Sequence, residues 1–233
     1  MKNGKIIVIE GACDGIGKTT QVEMLCDFFD KTGEIYIDHH FPSYKTPQGV
    51  LAEQYLKGEF GDFKKLSPYF INALFAIDRA TTWEKELKPE HEKGKIILLD
   101  RYTTSSLIYQ TALFDKLEEQ KRFIDYVMEY EYNKLKIKEP DIVIFLTAPY
   151  EVAIENIKNR INNEGIKNDI HETNLEYMKK VYETALFVAE YLSWDIIDCS
   201  KNNKINSCQD IHFDIQDKVR KRKKYCNQKQ LII

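Results

Sequence analysis

Apolar residues along this chain alternate between two rhythms. Short apolar runs bounded by polar or turn residues occur at Ile6-Ile7-Val8-Ile9, Ile35-Tyr36-Ile37-Asp38, Ile96-Ile97-Leu98-Leu99, Ile142-Val143-Ile144-Phe145-Leu146 and Trp194-Asp195-Ile196-Ile197-Asp198. They read as buried strands. Between them apolar residues return every three or four positions: Val22, Leu25 and Phe29, then 69–79, then Phe123, Tyr126, Val127 and Tyr130, then Val152, Ile154 and Ile157. That is the helical period. Strands alternating with helices imply right-handed crossovers, hence an α/β fold: a five-stranded parallel sheet with helices on both faces.

Turn residues punctuate the pattern. Gly33 predicts the end of the first helix, and Gly58-Glu59-Phe60-Gly61 the end of a short helix over 50–57. Ser67-Pro68 predicts an N-cap and first turn for a helix that stops before Pro89. A helix over 172–191 follows, and a last helix buries Cys208, Ile211, Ile215 and Val219. No repeat or linker divides the chain, so one domain over 1–224 is expected. It carries a short polar lid at about 160–172 and a tail at 225–233.

With 43% hydrophobic and 30% charged residues in 233, the chain reads as soluble and globular, long enough for a full core. A net charge of −3 leaves no overall nucleic-acid footprint. No run approaches the length of a membrane span, and no signal-peptide pattern opens the chain. The five cysteines are scattered without metal-ligand spacing, which predicts free thiols in a reducing cytoplasm. The basic run at 218–224 suits a solvated helix C-terminus.

The chemistry begins after the first strand, at Glu10-Gly11-Ala12-Cys13-Asp14-Gly15-Ile16-Gly17-Lys18-Thr19-Thr20. Strand, glycine-rich turn and a helix opening on Gly-Lys-Thr make a phosphate-binding P-loop. Backbone N–H groups from Gly15 to Thr20 and the helix N-terminus attract the phosphates of a nucleotide. Lys18 reaches the β- and γ-phosphates, and the Thr19 hydroxyl suits Mg²⁺. The loop is unusual: five residues, not four, separate Gly11 from Gly17.

Asp100 ends the third buried strand, the layout that holds Mg²⁺ directly or through water. Arg101 beside it suits a substrate phosphate. Phe75 and Arg79, four apart on one helix, place an aromatic plate beside a guanidinium, suited to stacking a base and contacting its edge. Cys199 and Ser200 leave the last strand toward the adenine. The polar flap 162–171 suits a lid that excludes water and delivers a cation. His171, the only histidine there, reads as structural.

These pieces resemble, in order, the thymidylate kinases, P-loop nucleoside-monophosphate kinases that phosphorylate dTMP to dTDP with MgATP. The likeness rests on the phosphate loop with Asp14, Phe41-Pro42 and its loop, Phe75-x-x-x-Arg79, Asp100-Arg101-Tyr102-x-x-Ser105-x-x-x-Tyr109-Gln110, and Asp198-Cys199-Ser200, together spanning residues 5 to about 213. It implies that Asp14 contacts the sugar 3′-hydroxyl and that Phe75 stacks on thymine with Arg79 at its polar edge. It also implies that Arg101 binds the acceptor phosphate and that Ser105, Tyr109 and Gln110 surround base and sugar. Phe41, Tyr44 and Lys45 complete the dTMP site, with Lys45 standing in for an arginine common after Phe-Pro. The family's catalytic arginine is missing from the loop, where Gly15 stands, and Asp169-Ile170-His171-Glu172 replaces the usual lid motif. Arg160 and Lys167 remain as lid cations. A homodimer is also implied.

The expected mechanism is direct in-line phosphoryl transfer. The acceptor is already an anionic oxygen, so positioning and charge neutralisation carry catalysis. Lys18, Asp100, Arg101 and a lid cation, Arg160 or Lys167, form the catalytic set, with Mg²⁺ on Thr19 and Asp100. The alternatives are a deoxynucleoside kinase, another monophosphate kinase, or a non-catalytic nucleotide-binding protein with an impaired loop.

Overall fold

The structure is a computed structural model and describes residues 4–13, 15–154, 170–171 and 174–229, with side chains to residue 222. Five parallel strands, β1 (Lys5–Gly11), β2 (Tyr36–His40), β3 (Ile96–Asp100), β4 (Ile142–Thr147) and β5 (Asp195–Asp198), lie in the order β2-β3-β1-β4-β5. The chain thus switches from one side of β1 to the other, and a crevice opens at the carboxyl ends of the strands. Register brings Ile9 of β1 and His40 of β2 level with Asp100 of β3.

Each strand of the centre is apolar on both faces because both faces are covered. Ile7, Ile9, Leu98, Ile144 and Leu146 meet α1 (Lys18–Thr32) and the last helix, through Leu25, Phe29, Ile211, Ile215 and Val219. The alternate residues Ile6, Val8, Ile97 and Leu99 face Trp83, Leu87 and Tyr102. Burial of each such side chain contributes about 2 kcal/mol relative to exposure. A third cluster joins α2 (Val50–Leu56), α3 (Pro68–Thr82), α5 (Thr103–Tyr109), α6 (Leu117–Met128) and α7 (Leu175–Tyr191) through Tyr55, Ile71, Leu107, Phe123, Val127 and Val181. Between α3 and α5 lies the short α4 (Lys88–Glu92).

The five-stranded parallel sheet agrees with expectation, and several boundaries do not. β2 runs to His40 rather than Asp38, while Ile35 is exposed, because backbone pairing with β3 overrides the apolar pattern. Helical structure also passes Pro89. A π-helical segment, Trp83–Leu87, widens the backbone, and Pro89 falls in the first turn of α4, where its missing N–H costs little. α7 starts at Leu175, capped by the Asn174 side chain accepting from the Tyr177 N–H. Cys208 is exposed rather than buried, at the start of α8 (Cys208–Lys229), which runs through the expected boundary at 224. A small hairpin, β6 (Ser200–Lys201) and β7 (Lys204–Ile205), follows β5. Among the described residues no helix is long and apolar enough to cross a membrane.

Candidate active site

β1 delivers the chain to the phosphate loop, and two glycines show what the turn needs. Gly17 has φ of 95°, a left-handed conformation that side chains other than glycine resist. A Cβ on Gly11 would lie 2.6 Å from the Ile16 side chain, so the long loop folds back closely over its own start. Ile16 is buried under it and Thr20 is exposed. The Lys18 side chain is nearly buried, and its ammonium donates to the Cys13 carbonyl at 2.9 Å. The lengthened half of the loop therefore supplies an acceptor for the lysine. Asp14 lies outside the described residues.

Across the gap between β1 and β3, Thr19 Oγ1 donates to Asp100 Oδ2 at 2.8 Å, and His40 Nδ1 lies 3.2 Å from the same oxygen. Asp100 Oδ1 is buried with no hydrogen-bond partner. Burial alone would raise the Asp100 carboxyl. The His40 contact, the Arg101 charge and the Thr19 hydroxyl outweigh it and hold the group below the usual carboxylate value. A hydroxyl and an ionised carboxylate with a spare oxygen are the hard oxygen donors that Mg²⁺ takes, so the residues fit that ion.

Arg101 follows with φ of 68°, a strained conformation of the kind that clusters at functional sites. Behind it lies Glu10, fully buried at the end of β1. Its carboxylate accepts from Thr104 Oγ1 at 2.8 Å and Ser105 Oγ at 2.6 Å, and Arg101 Nη1 is 3.8 Å away. Glu10 thus ties the phosphate-loop strand to the first turn of α5 and sets where Arg101 and Ser105 stand.

From this point a cleft opens beside Arg101 and Ser105. Phe41, Tyr44, Phe75, Arg79, Arg101, Ser105, Tyr109 and Gln110 all line it. Phe75 stands edge-on to Tyr55, ring centroids 5.7 Å apart. Tyr44 stacks on His40 at 5.7 Å, and Arg101 lies over the Tyr109 ring at 5.7 Å. At the closed end, Arg79 donates through Nε and Nη2 to the two carboxylate oxygens of Glu131, both at 2.7 Å, and through Nη2 to Ser106 Oγ at 2.8 Å. Burial would lower the guanidinium, and the Glu131 charge overrides it and keeps the group firmly protonated. The Gln110 Oε1 is buried there without a partner.

Other candidates fall elsewhere. Lys45 is exposed, outside the cleft lining, with its N–H on Glu53. The thiol of Cys199, expected on the adenine side, is buried in the core, and burial pushes it up to about 12. Ser200, half-buried, donates its hydroxyl to Asp198. Arg160 and Lys167 lie outside the described residues. His171 is buried as expected for a structural residue, yet it also lines the cleft: it stacks on Tyr109 at 5.5 Å, and Tyr55 Oη lies 2.8 Å from its Nε2.

Glu10, His40, Ser106 and Glu131 escaped sequence reasoning. Glu10 left a signal, an acid closing a buried apolar strand. Glu131 left none, being one acid in a charged amphipathic stretch.

A P-loop, an aspartate one strand away and a cleft lined by an aromatic plate and a guanidinium define the class: a P-loop kinase. The thymidylate kinase family model matches residues 9–211. The chain belongs to the thymidylate kinase family of ATP-dependent phosphotransferases. It is 34% identical to a probable thymidylate kinase of Thermococcus gammatolerans over 91% of this chain and 94% of that one. It is 32% identical to the thymidylate kinase of Prochlorococcus marinus, over 88% and 93% respectively. The solved thymidylate kinase of Candida albicans shares the fold, with a TM-score of 0.72 at 23% identity over 95% and 93% of the two chains.

Proposed function

We propose that this chain transfers the γ-phosphoryl group of ATP to the phosphate of dTMP by in-line attack, with no covalent enzyme intermediate. One observation carries the choice of base. Arg79 uses three of its five N–H groups on Glu131 and Ser106, leaving the two on Nη1, while Gln110 Oε1 is an unpartnered acceptor in the same cleft. A donor beside an acceptor matches O4 and N3–H of thymine, and opposes the N3 acceptor and N4 amine of cytosine.

Phe75 supplies the stacking face and Arg101 the charge for the acceptor phosphate. Tyr109, whose ring lies under Arg101, would exclude a ribose 2′-hydroxyl and so favour deoxyribose. Lys18 exchanges the Cys13 carbonyl for phosphate oxygens when ATP binds. Asp14 at the sugar, Lys45 at the acceptor, Ser200 near the adenine, and Arg160 or Lys167 over the transferring group complete the proposed set. Thr19 and Asp100 would hold Mg²⁺, which neutralises charge on the triphosphate when bound. Exposed apolar side chains on α2 and α3, Val50, Leu51, Phe70 and Ile77, support a homodimer.

A coupled assay of ATP consumption with dTMP, dUMP, dCMP and thymidine tests the reading. dTMP should give the highest kcat/KM and dCMP the lowest among the monophosphates. Equal turnover with thymidine, or none above the acceptor-free control with dTMP, overturns it.

A further inference from the structure

A buried ion pair between α3 and the segment Glu129–Lys134 calls for an explanation beyond stability. Arg79 is 2% exposed and Glu131 is 0% exposed. Desolvating two such charges costs about as much as their attraction returns, and apolar side chains of the same volume would hold the two elements together as well or better. The local backbone is unusual too. Glu131 sits on a π-helical segment, Glu129–Lys134, that interrupts regular helix geometry directly after α6. Chain irregularity and charge burial coincide on one carboxylate.

We propose that Glu131 is a positioning residue for base recognition: it fixes the plane of the Arg79 guanidinium so that Nη1, and no other edge, faces the acceptor base. Both carboxylate oxygens engage Arg79 in parallel, through Nε and Nη2, at 2.7 Å each. Such two-point contact sets an orientation and not merely a charge. The carboxylate is itself held, since Thr103 Oγ1 donates to Oε2 at 3.0 Å. The second N–H of Nη2 goes to Ser106. Every Arg79 donor except those on Nη1 is therefore committed within the protein, and the residue still lines the cleft. An arginine on its flexible stem alone could turn between O4 of thymine and N3 of cytosine; one clamped along its far edge reads a single place on the ring. The inference rests on the reading of the cleft as the dTMP site.

The test uses the full chain with Glu131→Asp, which keeps the charge and shortens the stem by one methylene, so both oxygens no longer reach Nε and Nη2 together. A misplacement on the order of 1 Å can cost up to about a hundredfold. The dTMP KM should rise by about tenfold or more, with kcat and the ATP KM each within about threefold. The ratio of kcat/KM for dTMP over dCMP should fall by about the same factor as the dTMP KM rises. Should Glu131→Asp fail to fold, Thr103→Val decides instead: it removes one of the two donors to Glu131 Oε2, leaves the ion pair, and should shift the same two quantities by about threefold. A folded variant with unchanged dTMP KM and unchanged dTMP-to-dCMP ratio overturns the proposal. So does an equal loss in kcat and in both KM values, the mark of a merely structural residue. A wild-type protein inactive on dTMP overturns the functional reading instead, so the two failures are distinguishable.

Discussion

The two ends of the candidate site are built on opposite terms. At the base end, Arg79 is clamped by Glu131 and Ser106, and Tyr109 is held between His171, stacked on its ring, and Tyr177, which donates to its carbonyl at 2.7 Å. Contacts here hold side chains in fixed orientations. At the proposed phosphate end, Lys18 rests on a backbone carbonyl and Thr19 on Asp100, contacts that anionic phosphates and a cation would replace. A base differs from its competitors by a few polar atoms, so reading it demands fixed geometry and buried partners. A triphosphate is recognised by charge, and groups that exchange partners bind it without leaving buried charges unpaired beforehand.

The largest effect should come from breaking the clamp. Arg79→Ala leaves the Glu131 carboxylate buried without its partner and should cost about 3–5 kcal/mol in urea unfolding. Arg79→Met with Glu131→Leu should restore most of that stability without restoring preference for dTMP over dCMP. Recovery of the preference would show that the base end does not depend on a fixed guanidinium.

At the phosphate end, Lys18→Ala should leave the melting temperature nearly unchanged and lower kcat by about 10²–10³-fold, the usual cost of one lost transition-state donor. Near-normal turnover in the folded variant would remove Lys18 from the chemistry.

Arg101 joins the two ends, and its backbone pays for the place it holds. Arg101→Gly relieves the left-handed strain, so unfolding free energy should stay level or rise by about 1 kcal/mol, although glycine's greater freedom when unfolded offsets part of it. The dTMP KM should rise sharply in the same protein. A loss of stability larger than 1 kcal/mol, on the order of the strain itself, would show that side-chain contacts outweigh the strain.

The smallest effect lies away from both ends. Burial lowers His91, with Asp141 opposing it and Lys138 adding to it, and burial lowers His212 together with the Lys31 charge, against a smaller opposing contribution from Asp27. Both therefore titrate lower in the fold than unfolded, where the value is about 6.5. Their contribution is complete above about pH 6.5 and declines as pH falls toward the folded-state values, because the unfolded chain binds the extra protons. Urea midpoints should drop modestly on acidification, and less so in a His91→Gln, His212→Gln variant.

Much of this was legible in the sequence because it rests on local chemistry. The apolar runs announced a doubly covered sheet, Gly-Lys-Thr after a strand announced a glycine-rich turn into a helix, and simple helical spacing announced that Phe75 and Arg79 line one cleft. Boundaries were less legible where backbone pairing or a π turn outweighed pattern, as at His40 and Pro89. The residues that set orientation were least legible. Glu10 and Ser105 are 95 apart in sequence, and Arg79 and Glu131 are 52 apart. Nothing in the spacing of a lone glutamate among charged neighbours says that it faces inward.

By itself, then, the sequence determined the fold class and which groups are candidates for the chemistry, since glycine, lysine, aspartate and arginine carry their phosphate and base preferences with them. Only the tertiary structure decided which partner holds each group, which hydrogen-bond edges stay open, and that His40 meets Asp100 while Cys199 turns into the core. Orientation depends on burial and on contacts between distant segments, and those exist only once the sheet and its helices have come together.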